Sequence, residues 1–306
     1  MQASTGVPKV LVSVLSYNSL ESTVKTLRSL SRLNYPNFRL QLVDNNSSQD
    51  FLSAIESAFP DLPIITLPTN SGYTGGNNYA IRQALREGYD YVLIANHDIE
   101  LEEDALSRLV ETATACPSSG AVGGVVVEGE TGRVQGFDLG RLSKWTGRWG
   151  VKTEVPEGAQ NYVKVETVQG ALVLLTERAI RAGSYFDENI FMYCDEFDLA
   201  SQLGMRGLDA FVDRRVAVKH YNPLSVHSKV AGYFVHRNRV YLAKKYGQWY
   251  HLCFYLLYAS LLELPARVIV KLFQGHRKFA LACIYGHIDG IRGFMNRGSL
   301  DEVKSL

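Results

Sequence analysis

KVLVSVLSYNSLESTVKTLRSLSRL, residues 9–33, changes its period halfway. Residues 9–15 are a short apolar run rich in β-branched side chains, the mark of a buried strand. From Leu20 onward Leu20, Val24, Leu27 and Leu30 recur at helical spacing, and Asn18 with Glu21 three residues later is a helix-start signature. The same alternation continues outward. A turn at residues 34–36 leads to FRLQLVD (38–44), a helical pattern covers 50–59, and residues 63–67 read as a third strand. Residues 77–87 suit a helix and YVLIAN (91–96) a fourth strand. The order β-α-β-α-β-α-β implies a parallel sheet covered by helices on both faces.

In such sheets ligands bind outside the carboxyl ends of the strands. Those ends carry Ser16-Tyr17-Asn18, Asp44-Asn45-Asn46, Asn70 and Asn96-His97-Asp98. Turn chemistry alone brings Asn and Asp to such places, but here every strand end is polar. After residue 120 the pattern changes. Residues 121–129 and 162–168 read as strands around the Gly-, Arg- and Trp-rich loop GRLSKWTGRWG (140–150). Residues 171–183 read as a strand running into a helix, 210–222 as a strand carrying His220 near its end, and the chain beyond 230 as mostly helical.

FMYCDEFDLASQL (191–203) sets Asp195, Glu196 and Asp198 among aromatic and apolar side chains. Two readings stand side by side. Asp195 caps a helix with Asp198 answering in a capping box, or crowding and burial raise a carboxylate's pKa until it can act as a base.

Composition narrows the classes. The 306 residues are 46% hydrophobic and 21% charged, ordinary for a globular protein with a sizeable core. A net charge of +1 gives no electrostatic case for binding nucleic acid. Cys116, Cys194, Cys253 and Cys283 are far apart, which argues against zinc and against a disulfide scaffold. The opening MQASTGVPKV has neither a basic nor an apolar signal region, so no signal peptide is expected.

Three motifs bear on chemistry. NSGYTGGNNYAIRQAL (70–85) places Gly72, Gly75 and Gly76 between a strand and a helix, but it meets neither the dinucleotide fingerprint nor the Walker A pattern. Asp98 after an apolar strand is well placed to hold a divalent metal and, through it, a diphosphate, or it is a turn aspartate. His220 is either an ordinary hydrogen-bonded histidine or a metal ligand, the latter only if Asp98 lies near it in space.

The ordered succession SYNS, VDNNSS, NSGYTGGNN, NHD, QGALVLLTERAI, FDENIFMYCDEFDL, VKH and HRNRVYLAKKYG resembles bacterial family 2 glycosyltransferases, particularly the rhamnosyltransferase-like group, over roughly residues 9 to 247. The closing YGHIDGIRGF is similar to that group's C-terminal helices. The resemblance implies a GT-A fold, an α/β architecture with a Rossmann-like, mostly parallel sheet, as residues 1–230, followed by a C-terminal helical extension, 231–306. It implies inverting transfer of a sugar, such as rhamnose, from a nucleoside-diphosphate donor such as dTDP-rhamnose or a UDP-sugar. The acceptor would be a glycan or a polyprenyl-diphosphate-linked glycan of a bacterial surface polysaccharide. Asp44 matches the acid that reads the base, Tyr17 and Asn18 the first nucleotide loop, and Asn77 a base or phosphate contact. Asn96 and Asp98 occupy the D-x-D position, with Asp98 and His220 as metal ligands for Mg²⁺ or Mn²⁺. Gly170 and Arg237 join the donor site. CDEFD takes the place of the E-D-x-D motif, which makes Glu196 the base and Asp195 its neighbour. Because the family's order Glu-Asp is reversed here, the choice between them stays open.

Two other classes compete. A sugar nucleotidyltransferase should carry a basic glycine-rich loop near its first strand, and LSYNSLES (15–22) has none. A non-catalytic binding protein of the same fold should lack the acids at 195 and 196. The run WYHLCFYLLYASLLEL (249–264) is shorter than the roughly 20 residues that span a bilayer, and Pro265 follows it. It is a core helix, a homodimer contact or an interfacial helix, with Arg267, Lys271, Arg277 and Lys278 beyond it for anionic lipid. The expected location is cytoplasmic, peripheral on the inner face of the plasma membrane.

Overall fold

The computed structural model describes residues 6–158, 160–221 and 228–306. Residues 1–5 of the opening segment and position 222 of the last expected strand lie outside the described residues. The chain divides into two compact units. The first comprises residues 1–140, 151–186 and 199–222, and the second 141–150, 187–198 and 223–306.

The first unit begins β1 (Val10–Ser16), α1 (Leu20–Leu30), β2 (Phe38–Asp44), α2 (Gln49–Ala58), β3 (Ile64–Thr66), α3 (Gly72–Arg86) and β4 (Tyr91–Asn96). It continues through β5 (Ile99–Glu100), α4 (Ala105–Ala115), β6 (Ser119–Glu128), β7 (Val134–Gly136), β8 (Tyr162–Val165), β9 (Leu172–Thr176) and α5 (Glu177–Arg181). Helix α6 (Asp195–Met205) precedes β10 (Asp209–His220), and the residues of its first turn belong to the second unit. The sheet order is β3-β2-β1-β4-β9-β6-β10-β5, with β7 beside β6 and β8 beside β10.

The pairs β3-β2, β2-β1, β1-β4 and β6-β10 are parallel, as the alternating pattern requires. Strand β9 enters antiparallel between β4 and β6. Every residue of β1 is buried, because the strand packs on both faces. Val10, Val12 and Val14 meet Leu27 of α1, Phe51 of α2 and Leu106 of α4 on one side. Leu11 joins Ile81 of α3, Ile180 of α5 and Leu203 of α6 on the other. Burying each such side chain contributes about 1.5–3 kcal/mol. Helix α3 comes close to β1: a Cβ at Gly76 would meet the end of the Leu15 side chain, which would have to shift.

The expected Asn18–Glu21 helix start takes another form. Ser19 is the N-cap without a side-chain bond, Asn18 sits at φ 50°, and Glu21 pairs with Lys25 at 2.8 Å. The Asn18 side chain instead accepts from the Ser48 amide at 2.8 Å, tying two loops together.

The second unit is built on α7 (Lys229–Tyr246) and α10 (Arg277–Arg292). These helices pack so closely that a Cβ at Gly286 would strike the Tyr233 backbone. Tyr233, Phe234, Ala282, Leu300 and Val303 form its core, the last two from α11 (Leu300–Ser305), and Phe191 stacks on Phe234 with centroids 5.3 Å apart. Between α7 and α10 run α8 (Trp249–Tyr258), a π-helical turn (Ala259–Glu263) and α9 (Leu264–Phe273). The apolar segment was expected to stop near Pro265; instead the helix carries on through it to residue 273. Pro265 falls in the first turn after the π-helical segment, where its missing N–H and its ring are tolerated.

Candidate active site

The carboxyl ends of β1, β2 and β4 stand in line. Ser16 is in register with Asp44, and Leu15 with Asn96. Asp44 is wholly buried, and its carboxylate accepts the Ser47 amide at 3.1 Å. Asn45 locks the next loop: its Oδ1 accepts from the Ser71 amide at 2.9 Å and its Nδ2 donates to the Gly72 carbonyl at 3.0 Å. Tyr17 remains 41% exposed at this edge, and Asn96 is half-buried with its amide on the Ala171 carbonyl. The Gly170 carbonyl, one residue earlier, accepts the Tyr73 hydroxyl at 2.8 Å.

The two-residue strand β5, which the sequence pattern did not reveal, brings Asp98 and His220 together. It pairs antiparallel with β10, His220 opposite Ile99, and the Tyr221 amide donates to the Asp98 carbonyl at 3.0 Å. His220 Nε2 then lies 3.3 Å from Asp98 Oδ1, although the imidazole N–H is not aligned for a hydrogen bond. Asp98 is 8% exposed, and among the described residues its Oδ1 has no hydrogen-bond donor. A buried carboxylate oxygen without a donor is costly unless a cation meets it. Two ligands about 2.1 Å from a common ion, at right angles, stand about 3 Å apart, so this pair fits a divalent metal. No cluster of three or more His, Cys, Asp or Glu suited to a metal occurs among the described residues. Any ion here would therefore take the rest of its shell from phosphate and water. His97, beside the pair, is kept below the usual histidine pKa chiefly by burial, with His220 adding and Asp98 opposing.

Two residues expected at the donor site are buried. Asn77 is 1% exposed, and among the described residues neither end of its amide has a hydrogen-bond partner. It shares a helical stripe with Ala80, Ile81 and Ala84, which pack in the core. Arg237, in the second unit, is fully buried; its guanidinium donates to the carbonyls of Asn189, Ile190 and Asn296 and is a strut for backbone. Arg239 is equally committed, to Glu263 at 2.7 and 3.0 Å and to the Thr146 carbonyl.

In the second unit the acids open α6 at the end of a strained loop. Phe191, Tyr193 and Cys194 all have φ near +64°, a left-handed backbone that costs a non-glycine residue on the order of 1 kcal/mol or more. Asn238 donates from Nδ2 to the carbonyls of Ile190, Met192 and Tyr193 at 2.8 to 3.1 Å. Asp198 is wholly buried and accepts from Lys245 and the Tyr246 hydroxyl, both at 2.6 Å, which makes it part of the scaffold. Lys245 also reaches Asp187 at 2.6 Å. Burial would raise the Asp187 pKa, but Lys245 and Tyr241 together hold it below the ordinary carboxylate range. Asp195 is 3% exposed. Burial first, then the Glu196 charge, push its pKa well above the usual value, and the Asp195 and Tyr193 amides offset this only in part. Glu196 is the more accessible of the two.

The sequence reading placed Asn45 and His97 at strand ends without giving them roles, and passed over Asn238 and Lys245. For Asn238 a signal existed: an amide between two arginines, in the middle of a helix.

Residues 12–157 match the family described as Glycosyl transferase family 2. Over 267 residues, 78% of this chain and 85% of the relative, the sequence is 22% identical to N-acetylglucosaminyl-diphospho-decaprenol L-rhamnosyltransferase of Mycobacterium tuberculosis. It is 23% identical over 206 residues to the low-salt glycan biosynthesis hexosyltransferase Agl10 of Haloferax volcanii, covering 65% of this chain and 64% of that protein. The fold is similar to the mannosyltransferase PcManGT of Pyrobaculum calidifontis, solved with GDP-Man and Mn2+ (TM-score 0.58, 18% identity, 94% of this chain and 88% of that one). It is also similar to S. aureus TarS 1-349, with TM-score 0.54 and 17% identity over 92% and 80% of the two chains. Residues 12–157 thus carry the match to glycosyl transferase family 2, and the fold around them is of the GT-A type.

Proposed function

We propose that this glycosyltransferase is an inverting, metal-dependent enzyme that moves a sugar from a nucleoside diphosphate to a glycan acceptor carried on a lipid diphosphate. The observation that carries the donor half is the buried Asp98 Oδ1, which has no hydrogen-bond donor among the described residues and lies 3.3 Å from His220 Nε2. Asp44 and the loop around Tyr17 and Asn18 take the nucleoside, and Asn96 and the Gly170 backbone border the ribose and diphosphate. Asp98 and His220 would hold Mg²⁺ or Mn²⁺, whose charge, when bound, offsets that developing on the leaving diphosphate. A relative named for transfer of rhamnose to a decaprenyl-diphosphate acceptor favours dTDP-rhamnose and a polyprenyl acceptor.

Glu196 takes the proton of the attacking acceptor hydroxyl. Asp195 is buried and its pKa is raised despite its bonds to backbone amides, so it holds a proton more readily, and Glu196 is the more accessible member of the pair. In-line attack with one carboxylate base inverts the anomeric centre. The test is thermal unfolding of the purified chain with a panel of UDP-, GDP- and dTDP-sugars, with and without Mn²⁺, followed by assay of diphosphate release. Metal-dependent protection together with release of the nucleoside diphosphate supports the reading. Protection without turnover, even with acceptor extracts, makes the chain a binding protein instead.

A second observation favours attachment to a membrane surface. The helical run Trp249–Phe273 is long and apolar enough by length and composition to cross a bilayer, and only 11% of its most apolar stretch is buried. Yet three of its polar groups are bonded or packed within the second unit. His251 meets the Gln248 amide and the Trp145 ring, Ser260 bonds His287 at 2.8 Å, and Glu263 pairs with Arg239. Trp249, Leu257, Leu261, Leu262 and Phe273 are left as an exposed apolar face, with Arg277 and Lys278 just beyond. A polar face bonded within the protein and an apolar face left exposed suit a helix resting on the interface of anionic lipid. Flotation of the full chain with anionic vesicles, lost in Leu257→Glu/Leu261→Glu, is the expected result. Failure to float, with a stable dimer that the same substitutions break, would assign the face to a second copy.

A further inference from the structure

We propose that Asn238 is the positioning residue for the acidic pair: its amide gathers three carbonyls of the strained loop and so sets where Glu196 points. The inference rests on Glu196 being the base. The geometry is unusual for a helix residue. Asn238 is wholly buried in the middle of α7, and its single NH₂ group faces the carbonyls of Ile190, Met192 and Tyr193. Those carbonyls converge because Phe191, Tyr193 and Cys194 adopt left-handed backbone. Three carbonyl dipoles directed at one point repel each other unless a donor lies there. The Asn238 Oδ1 is fixed in turn by Arg237 Nε at 2.9 Å, which orients the amide, and the same guanidinium holds Asn189 and Ile190. Asp195 and Glu196 follow the last strained residue directly, so the backbone that Asn238 holds is the backbone that aims them.

A bracing residue that only contributed stability would leave chemistry intact in molecules that remain folded. A positioning residue acts on turnover, because a small misplacement of a reacting group costs about a hundredfold. Two variants separate these roles. Asn238→Asp keeps size and the contact with Arg237 but turns an oxygen toward the three carbonyls; Asn238→Ala removes the donor and adds no repulsion, should the first not fold. Lys244→Ala, on the same helix as Asn238, loses only bonds to the Gly290 and Ile291 carbonyls of α10 and is the control.

The expected result is a fall in kcat of about tenfold or more in both Asn238 variants. KM for the hydrolysed sugar nucleotide should stay close to that of the unmodified enzyme, and hydrogen exchange should speed up only in residues 189–194. Lys244→Ala should keep its turnover. Unchanged kcat in the Asn238 variants, or faster exchange spread equally over α7 and α10, would overturn the proposal. Glu196→Gln measured alongside keeps the two failures apart. An active Glu196→Gln removes the base on which the inference rests, whereas an inactive one beside a fully active Asn238→Ala overturns the positioning role alone.

Discussion

The donor edge of the first unit and the acidic loop of the second are built by opposite means. At the donor edge, short polar side chains at strand ends bond to neighbouring loop amides, as Asn18 does to Ser48 and Asn45 to Ser71. The Asp98 carboxylate there is left with an oxygen that no donor among the described residues meets. In the acidic loop hardly anything is left over: Arg237, Asn238 and Lys245 reach in from α7 to hold carbonyls and carboxylates. Strained backbone is kept there by interior bonds, and Asp195 is desolvated. The difference suits the two tasks. A site that takes a metal diphosphate needs unsatisfied groups for the ligand to complete, whereas a base needs a fixed direction and a tuned pKa.

The comparison is most sharply broken at Glu196. Glu196→Gln should lower turnover at least about a hundredfold, the usual scale for a general base, without loss of donor affinity. If Asp195→Asn is inactive and Glu196→Gln is not, the buried acid is the base and accessibility was the wrong guide. Next in size is the metal pair. His220→Ala should weaken nucleoside diphosphate binding in Mn²⁺ by less than Asp98→Ala does, since phosphate and water fill most of the shell. Equal losses by titration would make His220 as important a ligand as the carboxylate.

The smallest effect concerns pH and the bracing of the second unit. Burial drives the His236 pKa from 6.5 down to about 3; Arg239 and Arg267 push the same way, and Glu263 and the Gly232 carbonyl oppose. The unfolded chain therefore binds a proton between these values that the folded chain refuses. Stability is fully present above pH 6.5 and declines as pH falls toward 3, by up to about 1.4 kcal/mol per pH unit from this one group. Glu263, which Arg239 holds below the usual range although burial alone would raise it, adds its loss only at lower pH. Denaturant melts between pH 7 and 5 should show a slope that is smaller in His236→Gln. An unchanged slope would mean that His97 and His287, also lowered by burial, account for it.

Much of the first unit was legible in the sequence, because the change from strand to helical period sits in residues 9–96 with little interruption. The strand ends that carry Asn18, Asp44 and Asn96 follow from that reading. What stayed hidden depends on distant pairing. Nothing local shows that β9 inserts antiparallel between β4 and β6, or that a strand of two residues draws Asp98 to His220. Asn77 is a different case. Its spacing with Ala80, Ile81 and Ala84 puts it on a buried stripe, which the polar motif around it obscured. Arg237 could not be read at all, since a buried arginine bonded to carbonyls and a phosphate-binding arginine are the same letter.

The division of labour between the two regions is tested most directly by calorimetric titration of nucleoside diphosphate with Mn²⁺ into the unmodified chain, Asp98→Ala and Glu196→Gln. The account predicts that Glu196→Gln binds as the unmodified chain does, while Asp98→Ala loses the metal-dependent part of binding. Metal-dependent binding kept by Asp98→Ala, or lost by Glu196→Gln, would contradict it.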